Sequence, residues 1–417
     1  MIKPEFIFLF IFFAGCTVQN NSIYIDNQIG SDSNPGTARK PIKTISELNS
    51  RLQSKSSNIY FMGGQVYDGT LILNQLHVKE NEKILITSTS RKRATINGGN
   101  NEAIRIEDCS GIVFSSLRLK GNGRKDGNMT NGLSLKNTTS SRIVYVRAEG
   151  FRKSGVDLFD CRDVVVRNVT AVNNGFSGIN VMGSSREKSG KILIIDSRAG
   201  NNAGDPSNLD NHSGNGILVG VSDSVTIERC TATNNGWDMP RTGNGPVGIW
   251  TWESSHVKIQ FCMSYQNKTS KGAKDGGGFD LDGGVRNSVV QYCLSFGNQG
   301  AGFGLFQYAG ASQWKDNIIR NNISIDDATT TRGAGSIFIW NGTADSTQLS
   351  GCKISHNLFI SSSAPLISFE PDSKHSDFEF SHNIFIGSHN VSGQDNGSTF
   401  LKNTWLGGKH NGSSIRH

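Results

Sequence analysis

The chain has 417 residues, with 49 glycines, 8 prolines, 35% hydrophobic residues and a formal net charge of +7. This composition suits short strands and turns rather than helices, and it predicts a soluble, exported, β-rich protein. A moderately basic exported chain suits an acidic polysaccharide or oligosaccharide as partner. The sequence carries no nucleic-acid-binding motif, so nucleic acid is excluded as a partner, and we expect a monomer.

Residues 1–15 have the pattern of a targeting segment. Lys3 precedes an apolar run at 6–13, and Ala14-Gly15-Cys16 follows. The run is too short for a permanent membrane helix, so it predicts a secretory signal. The Cys after Ala-Gly resembles a bacterial lipobox, which implies lipidation of Cys16 and anchoring in the outer membrane of a Gram-negative bacterium, facing the periplasm or the exterior. An ordinary signal peptide with a chance Cys is the alternative.

Residues 16–96 contain an opening segment and the first strands. The stretch IYIDNQIGSDSNPGTARKPIKTISELNSRL has a strand, a turn rich in Gly, Asn and Pro, and an amphipathic helix beginning near Thr44. This stretch resembles the N-terminal cap of exported right-handed parallel β-helix proteins, in which a helix covers the open end of the coil. A stacked sheet has an exposed end that must be covered, which agrees with that resemblance.

Residues 97–390 form a repeat array. A glycine opens a strand in each unit, and these glycines are 23 to 38 residues apart: Gly132, Gly155, Gly178, Gly216, Gly248, Gly278 and Gly302. Such periods indicate a solenoid or a propeller. Each unit has two or three short strands without a helical pattern, so we predict an all-β, single-domain right-handed parallel β-helix with an N-terminal capping helix. Residues 391–417 are a C-terminal cap or tail.

Two kinds of small residue recur once per unit. Cys230, Cys262 and Cys293 each follow a strand, and they are predicted to stack as a buried ladder rather than to form disulfides. Asparagines recur in the polar turns and predict a stacked amide ladder with a structural role: Asn173, Asn174, Asn201, Asn202, Asn234, Asn235, Asn267, Asn298, Asn321 and Asn322.

The stretch from Gly278 to Asp282 concentrates the candidate chemistry. Strand alternation places Phe279 and Leu281 on one face and Asp280 and Asp282 on the other. One unit earlier the equivalent face carries Trp250 and Trp252, and one unit later it carries Phe306, with Tyr308 two residues further on. Stacked strands would set two carboxylates between aromatic side chains, which predicts a sugar-binding surface.

Three long inserts precede neighbouring strands, at residues 200–215, 235–247 and 267–277. Insertions at the same corner of adjacent coils should stack and form one wall of a groove over the carboxylates. The wall carries Trp237 and Lys271 as candidate substrate-binding residues. Arg241 and Lys274 could neutralise the carboxylate of a uronic acid, which an elimination from such a sugar requires.

Asp280 and Asp282 are the first catalytic candidates, because two carboxylates flanking a glycosidic bond are the equipment of a glycoside hydrolase. They could instead hold Ca²⁺, or simply solvate an outward face. His212 lies in the first insert, which has no core to bury it, and is a candidate general acid or base. Tyr308 is a candidate acid, or a packing aromatic beside Phe306. No cofactor follows with certainty, and the metal site is unknown.

The segment DGGGFDLDGGVRNSVVQYCLSFGNQGAGFGLF is laid out like the core of the family 9 polysaccharide lyases, which are exported Ca²⁺-dependent pectate lyases. In that family an Asp-Gly-Phe strand carries the catalytic Lys, and a later Asp-Asp-Gly-Trp-Asp run helps to hold Ca²⁺. Here Asp282 stands at the position of the Lys, and Gly300–Gly304 replaces the acidic run. The resemblance therefore implies the fold, whereas neither the base nor the metal site carries over.

Three hypotheses follow. The first, slightly favoured by the basic charge and the lyase-like layout, is β-elimination on a uronic-acid-containing glycan, by glycosidic cleavage or by dehydration at a non-reducing end, to a 4,5-unsaturated uronate. The second is a glycoside hydrolase that uses Asp280 and Asp282. The third is a non-catalytic glycan-binding lipoprotein with Trp250 and Trp252 as its platform. An unsaturated product distinguishes the first from the second, which releases new reducing ends.

Overall fold

The computed structural model describes residues 17–18, 22–52, 57–79, 82–331 and 333–407. The predicted targeting segment and Cys16 lie outside the described residues. The described chain forms three long parallel sheets, which we name sheet A (15 strands), sheet B (13 strands) and sheet C (12 strands). No helix among the described residues has the length and apolar character needed to cross a membrane.

Sheet A contains Thr17–Val18, Ser22–Ile25, Asn58–Phe61, Glu82–Ser88, Ile112–Ser115, Thr139–Val144, Arg162–Arg167, Gly190–Ile195, Asp223–Glu228, Lys258–Gln260, Val289–Gln291, Trp314–Arg320, Leu349–Ser355, Ser376–Ser381 and Ser398–Leu401. Sheet B contains Val66–Asp68, Ala94–Gly99, Leu117–Gly121, Arg147–Glu149, Thr170–Val172, Arg198–Gly200, Thr231–Thr233, Met263–Tyr265, Leu294–Phe296, Ile323–Ile325, Leu358–Ser361, Ile384–Gly387 and Thr404–Leu406. Sheet C contains Leu71–Asn74, Ile104–Glu107, Leu133–Lys136, Ser154–Phe159, Ser177–Met182, Asn215–Gly220, Val247–Trp252, Gly277–Leu281, Phe303–Gln307, Ile337–Asn341, Ile367–Phe369 and Val391–Ser392.

Each turn of the chain contributes one strand to sheet C, then one to sheet A and one to sheet B. Leu133–Lys136, Thr139–Val144 and Arg147–Glu149 make one such coil, and Ser154–Phe159 returns to sheet C. Every strand pairs in parallel with its equivalent in the next coil, as between Leu133 and Val156. Strands before residue 97 join the same sheets as those after it. The prediction of an all-β, single-domain right-handed parallel β-helix is confirmed.

An eight-residue helix, Ile45–Leu52, covers the first coils, and a short 3-10 helix lies at Ser346–Gln348. The helix buries Ile45, Leu48 and Leu52, whose spacing puts them on one face. Thr44 caps it, since its hydroxyl oxygen accepts a hydrogen bond from the Glu47 N–H at 3.2 Å. The predicted N-terminal capping helix is therefore confirmed.

The core is made by the inward side chains of all three sheets. In sheet C, Ile217, Ile249, Phe279, Phe303 and Ile337 stand in one register row and are almost completely buried. The Phe279 and Phe303 rings stack with their centroids 5.3 Å apart. Full burial of a side chain of this size contributes roughly 1.5–3 kcal/mol relative to exposure, so each coil gains its stability from its neighbours.

The predicted cysteine ladder is confirmed. Cys230, Cys262 and Cys293 are buried and free, at the corner between sheets A and B. The Cys230 N–H points at the Cys262 Sγ, 3.4 Å away. Six free, buried cysteines lie within the described residues.

The asparagine ladder runs along the corner between sheets B and C. Asn174, Asn202, Asn235, Asn267 and Asn298 bond in sequence through their side-chain amides, at 2.9 to 3.2 Å. The ladder ends on a carboxylate, because Asp327 Oδ1 accepts from Asn298 Nδ2 at 2.7 Å. These amides are structural, as predicted.

The inclusion of Asn322 in that ladder was wrong. Asn322 lies at the cysteine corner, where its Oδ1 accepts from the Cys293 N–H at 2.9 Å. It starts a second amide ladder, which continues through Asn357, Asn383 and Asn403. Both corners follow a strand and bury one small side chain per coil, so spacing along the sequence could not distinguish them.

Glycine opens the strands of sheet C because the asparagine corner leaves no room for a side chain. A Cβ atom on Gly248 would lie 2.0 Å from Ser264 Oγ and 2.5 Å from Asn267 Nδ2. The repeated glycine is therefore a packing requirement of the amide ladder.

Candidate functional site

A cleft lies on the outer face of sheet C, above the strand Gly277–Leu281. Phe279 and Leu281 point into the core, and Asp280 points outward. Asp280 is in register with Trp250 on one side and Gly304 on the other. The predicted neighbourhood of this carboxylate and a tryptophan is thus present.

Aromatic and acidic side chains dominate the cleft. Its lining includes the aromatic side chains of Trp250, Phe306, Tyr308, Phe338 and Trp340. It also includes the acidic residues Asp275, Asp280, Asp282 and Glu370. Lys274 is the basic residue among the described lining residues. The cleft therefore combines apolar ring surfaces with carboxyl groups.

Asp280 forms the floor of the cleft. It is 4% exposed, and its Oδ1 has no hydrogen-bond partner among the described residues. Burial raises the pKa of Asp280 well above its usual range, and the charges of Asp282 and Asp275 raise it further. An unpaired buried carboxyl group is costly unless something else satisfies it. Burial therefore favours the protonated form of Asp280, which lines the cleft.

Asp282 and Asp275 are the two neighbouring carboxyl groups. Burial raises the pKa of Asp282 to about 7, and the charges of Asp275 and Glu253 raise it further. A hydrogen bond from the Gly283 N–H, at 2.7 Å, has the opposite effect and lowers the pKa. Burial also raises the pKa of Asp275 to about 6, although its Oδ2 accepts from the Gly245 N–H at 2.7 Å. All three carboxyl groups are therefore weaker acids than an exposed aspartate.

Gly304 creates space beside Asp280. A Cβ atom there would lie 2.7 Å from Phe306 Cε2 and 3.1 Å from Asp280 Oδ1. Because the residue is glycine, the Phe306 ring can occupy the space beside it. Phe338 is in register with Gly304, and Trp340 with Phe306, so the next coil extends the aromatic lining.

Trp250 lines the cleft but is held firmly in place. It is 4% exposed, and its Nε1 donates to Asn215 Oδ1 at 3.0 Å. His212 packs edge-on against the Trp250 ring at 4.7 Å and lies 5.9 Å from the Phe176 ring. Trp250 can offer a substrate only part of its surface.

The expectation that His212 has no core to bury it was wrong. The ring packs between Phe176 and Trp250, and its Nδ1 accepts from Asn215 Nδ2 at 3.1 Å. Burial, with a smaller effect from the charge of Arg241, lowers the pKa of His212 to about 4. His212 stands behind Trp250 and is not among the residues that line the cleft. Its position suits the support of Trp250.

The remaining predicted residues divide between the cleft and its surroundings. Tyr308 and Lys274 line the cleft. The Trp252 ring turns away and lies over Gly220, where a Cβ atom would be 2.5 Å from its Nε1. Trp237 is 48% exposed and stacks with the Arg124 guanidinium at 5.5 Å. Arg241 and Lys271 lie on the inserts outside the lining.

Hydrogen bonds join the inserts into one wall, and the second and third inserts line the cleft. The Lys274 N–H donates to Gly243 O at 3.1 Å, and Ser270 Oγ donates to Arg241 O at 2.7 Å. The first two inserts also meet, because the Asp238 N–H donates to Ala203 O at 2.8 Å. This wall separates the cleft from sheet B.

An arginine from a distant loop holds the turn after Asp282, and sequence reasoning missed it. Arg186 Nη2 donates to Glu253 Oε2 at 2.7 Å and to Gly284 O at 2.9 Å. Arg186 Nε donates to Glu253 O at 2.6 Å. Tyr308 packs over the same turn, since a Cβ atom on Gly283 would lie 2.3 Å from its Cε1. Burial and the charges of Glu253 and Asp282 raise the pKa of Tyr308.

Phe338, Trp340 and Glu370 also line the cleft, and they were not among the predicted site residues. SIFIW alternates like GFGLF in the preceding coil, and aligning the two stretches would have placed Phe338 and Trp340 on the cleft face. Within the described residues, no group of three His, Cys, Asp or Glu side chains is arranged to hold a metal ion. The Ca²⁺ site therefore stays a prediction.

Comparisons with known proteins identify the fold. The profile of the family described as "Right handed beta helix region" matches residues 192–405, a little over half of the chain. None of the curated proteins is significantly similar in sequence. The fold resembles GH136 lacto-N-biosidase from Eubacterium ramulus, with a TM-score of 0.67 and 15% identity over 89% of this chain and 68% of that chain.

Two further solved structures are similar. The A-module of the mannuronan C-5 epimerase AlgE6 from Azotobacter vinelandii matches with a TM-score of 0.62 and 13% identity, over 87% of this chain and 94% of that chain. The Dettilon tailspike protein matches with a TM-score of 0.63 and 12% identity, over 89% of this chain and 68% of that chain. Identities this low support the shared fold alone, and the narrower resemblance to family 9 lyases stays a prediction.

Proposed function

The chain belongs to the right-handed β-helix family, and we propose that its cleft hydrolyses a glycosidic bond in a polysaccharide or oligosaccharide. The observation that carries this proposal is Asp280 Oδ1, a buried carboxyl oxygen without a partner, in a cleft that also contains Asp282. A lacto-N-biosidase and a mannuronan epimerase among the structural neighbours are in keeping with a carbohydrate substrate. Aromatic rings in the cleft offer apolar faces on which sugar rings can stack.

The two carboxyl groups take different roles because their environments separate their pKa values. Asp280 keeps its proton and donates it to the glycosidic oxygen as the bond to the anomeric carbon breaks. Asp282 is ionised and removes a proton from the attacking water. Its Oδ1 accepts a hydrogen bond from the Gly283 N–H. The products are a new reducing end and a free hydroxyl group.

The proposed mechanism implies inversion of configuration, because water attacks the anomeric carbon directly. Such a reaction needs carboxyl groups roughly 6.5–9.5 Å apart, which leaves room for the water molecule, whereas a separation of about 5 Å suits a covalent intermediate. We therefore propose an inverting hydrolase.

Elimination on a uronic acid is the second candidate, and Lys274 is the observation in its favour. This side chain lines the cleft and could neutralise the substrate carboxylate. Four acidic residues line the same cleft, however, and they disfavour an anionic sugar near the floor. Hydrolysis accounts for the paired carboxyl groups, which elimination leaves without a role.

The test uses the purified protein, a panel of neutral and acidic polysaccharides and oligosaccharides, and assays for reducing ends and for unsaturated uronate. We expect reducing ends from at least one glycan. Asp280→Asn and Asp282→Asn should each lower kcat by on the order of 100-fold or more, because a proton donor or acceptor is lost. EDTA treatment in parallel measures any dependence on Ca²⁺.

Asp157→Asn is the matched control. Asp157 is an outward carboxyl group of sheet C whose pKa burial also raises, to about 6, but it lies outside the cleft. We expect its activity to stay within about twofold of the unaltered protein. Full turnover in Asp280→Asn, or unsaturated uronate as the product, would overturn the hydrolase proposal.

A further inference from the structure

The outward face of sheet B changes character halfway along the molecule. In the first half, one register column carries Arg118, Arg147, Thr170, Arg198 and Thr231. In the second half, the same column continues as Met263, Leu294, Ile323, Leu358 and Ile384. Charged and polar side chains therefore give way to large apolar ones at one coil.

A second column makes the same change, and the adjoining corner between sheets A and B is apolar over two coils. The column two residues further along each strand contains Tyr265, Phe296, Ile325, Ile360, Ile386 and Leu406. At the corner, the Phe261 and Tyr292 rings stack at 5.1 Å, 8° from parallel. We name this surface, made of both columns from Met263 to Leu406 with Phe261 and Tyr292, the apolar face.

The apolar face is open to solvent in the single chain. Phe261 and Tyr292 are 51% and 49% exposed. Other members are 37% to 50% exposed: Met263, Ile323, Ile325, Ile384 and Leu406. At about 200 Å² for a fully exposed large side chain, these seven together expose on the order of 600 Å². That equals or exceeds the largest apolar patch of a typical monomer, roughly 300–600 Å².

The cleft does not use this surface. The cleft lies on sheet C, and the wall of inserts separates it from sheet B.

We infer that the apolar face is a self-association surface whose occupant is a second copy of this chain. Six strands at about 4.8 Å give a flat face roughly 24 Å long, and flat faces pack about 10 Å apart. A two-fold axis brings one surface against its own copy, so the surface must complement itself. The evenly spaced Ile, Leu and Phe side chains of the apolar face are self-complementary in this sense, because the rows of side chains on one copy can pack between the rows on the other.

Area and charge both favour this occupant. A stable interface takes about 800 Å² from each partner, and the exposed members supply most of it. Neither column from Met263 onwards contains a charged residue within the described chain. These columns therefore offer no charged group that could pair with an oppositely charged group on a different protein. Pairing through sheet B would leave both clefts on sheet C open. The expectation of a monomer would then be wrong.

The test is the mass of the purified protein in solution, by light scattering after size exclusion and by sedimentation velocity across a 100-fold range of concentration. We expect twice the chain mass of 45.2 kDa, or the corresponding mass after removal of the leader. The double variant Ile323→Lys/Ile325→Lys should have the mass of a single chain, because it places charges in the centre of the interface.

Thr95→Lys/Thr170→Lys is the matched control, because it adds the same charges to the polar half of the same column and should leave the dimer intact. Equal thermal midpoints for the two variants exclude misfolding as the cause. A single-chain mass for the unaltered protein at every concentration overturns the inference without any variant. Monomers that float with phosphatidylcholine–phosphatidylglycerol vesicles would overturn it in favour of a lipid surface.

Discussion

At the residue scale, the properties of the site follow from burial of carboxyl groups. Asp280 is buried in the cleft, Asp282 and Asp275 are half-buried, and the charges of Asp282 and Asp275 oppose ionisation of Asp280. The effect is a pKa of Asp280 above that of an exposed aspartate. Gly304 permits this arrangement, because a Cβ atom there would crowd both the Phe306 ring and Asp280 Oδ1.

The pH dependence of turnover should report Asp282. Hydrolysis needs Asp282 ionised, and burial raises its pKa to about 7, so kcat/KM should rise with pH up to about 7. The charge of Glu253 contributes to that raised pKa. Glu253→Gln should therefore move the rising limb to lower pH, as measured by kcat/KM from pH 4 to pH 9.

Glu228→Gln is the control, since Glu228 pairs with Arg229 on sheet A, away from the cleft. Its profile should overlay that of the unaltered protein. If the rising limb of the kcat/KM profile stays at the same pH in Glu253→Gln, or moves to higher pH, its assignment to Asp282 is contradicted.

At the element scale, the cleft depends on a loop that bridges coils. The loop after strand Ser177–Met182 carries Arg186, which reaches Glu253 and the Gly283–Gly284 turn in later coils. Ser312 completes the arrangement, because its N–H donates to Glu253 Oε1 at 2.6 Å. The carboxyl group of Asp282 directly precedes this turn, so Arg186 is a positioning residue for it.

Arg186→Met should free the turn and misplace Asp282. We expect kcat to fall on the order of 10- to 100-fold with little change in KM, because small displacements of a catalytic group are costly. Steady-state kinetics and a pH profile measure the effect, and Arg186→Lys should recover only part of it, since lysine lacks the planar donor fork.

Arg162→Met provides the comparison for Arg186. Arg162 donates to Glu187 O in the same loop but does not reach the turn. Its kcat should be unchanged. Equal losses in both variants would mean that Arg186 supports the loop and has no particular connection with Asp282.

At the scale of the whole molecule, the repeat explains what the sequence could predict. Strand alternation and the glycine period predicted the coils, the cysteine ladder and the neighbourhood of Trp250, Asp280 and Phe306. These features depend on backbone periodicity, which a sequence displays directly.

The remaining features depend on contacts between coils that spacing does not contain. The Trp252 ring turns over Gly220 because the preceding coil lacks a Cβ there, and Arg186 meets Glu253 across 67 residues. Asn322 was assigned to the wrong corner because the two corners have the same spacing. Phe338 and Trp340 were missed because the strand that carries them does not open with the glycine that marked the earlier coils.

The cleft should lower the stability of the molecule above acidic pH. In the folded chain Asp280 and Asp282 keep protons that the unfolded chain loses near pH 4. The folded state thus binds more protons between about pH 4 and 7, so stability falls as pH rises through that range. Asp280→Asn removes one such group and should raise the thermal midpoint at pH 8 by about 2 °C or more, with a smaller change at pH 4.

Calorimetry at both pH values measures this effect, with Asp316→Asn, an exposed aspartate on sheet A, as the control. The control should change neither midpoint. A lower midpoint for Asp280→Asn at pH 8 than for the unaltered protein would show that ionisation of this carboxyl group carries no cost in the fold.

The most direct test of the central proposal is the fate of water oxygen during turnover. Hydrolysis inserts one oxygen atom from water at the anomeric carbon, whereas elimination inserts none and leaves an unsaturated sugar. We therefore predict that, in water labelled with heavy oxygen, mass spectrometry of the products shows one labelled atom at the new reducing end, and that Asp280→Asn forms this product at least 100-fold more slowly. Unlabelled products that carry a 4,5-unsaturated uronate would contradict the account.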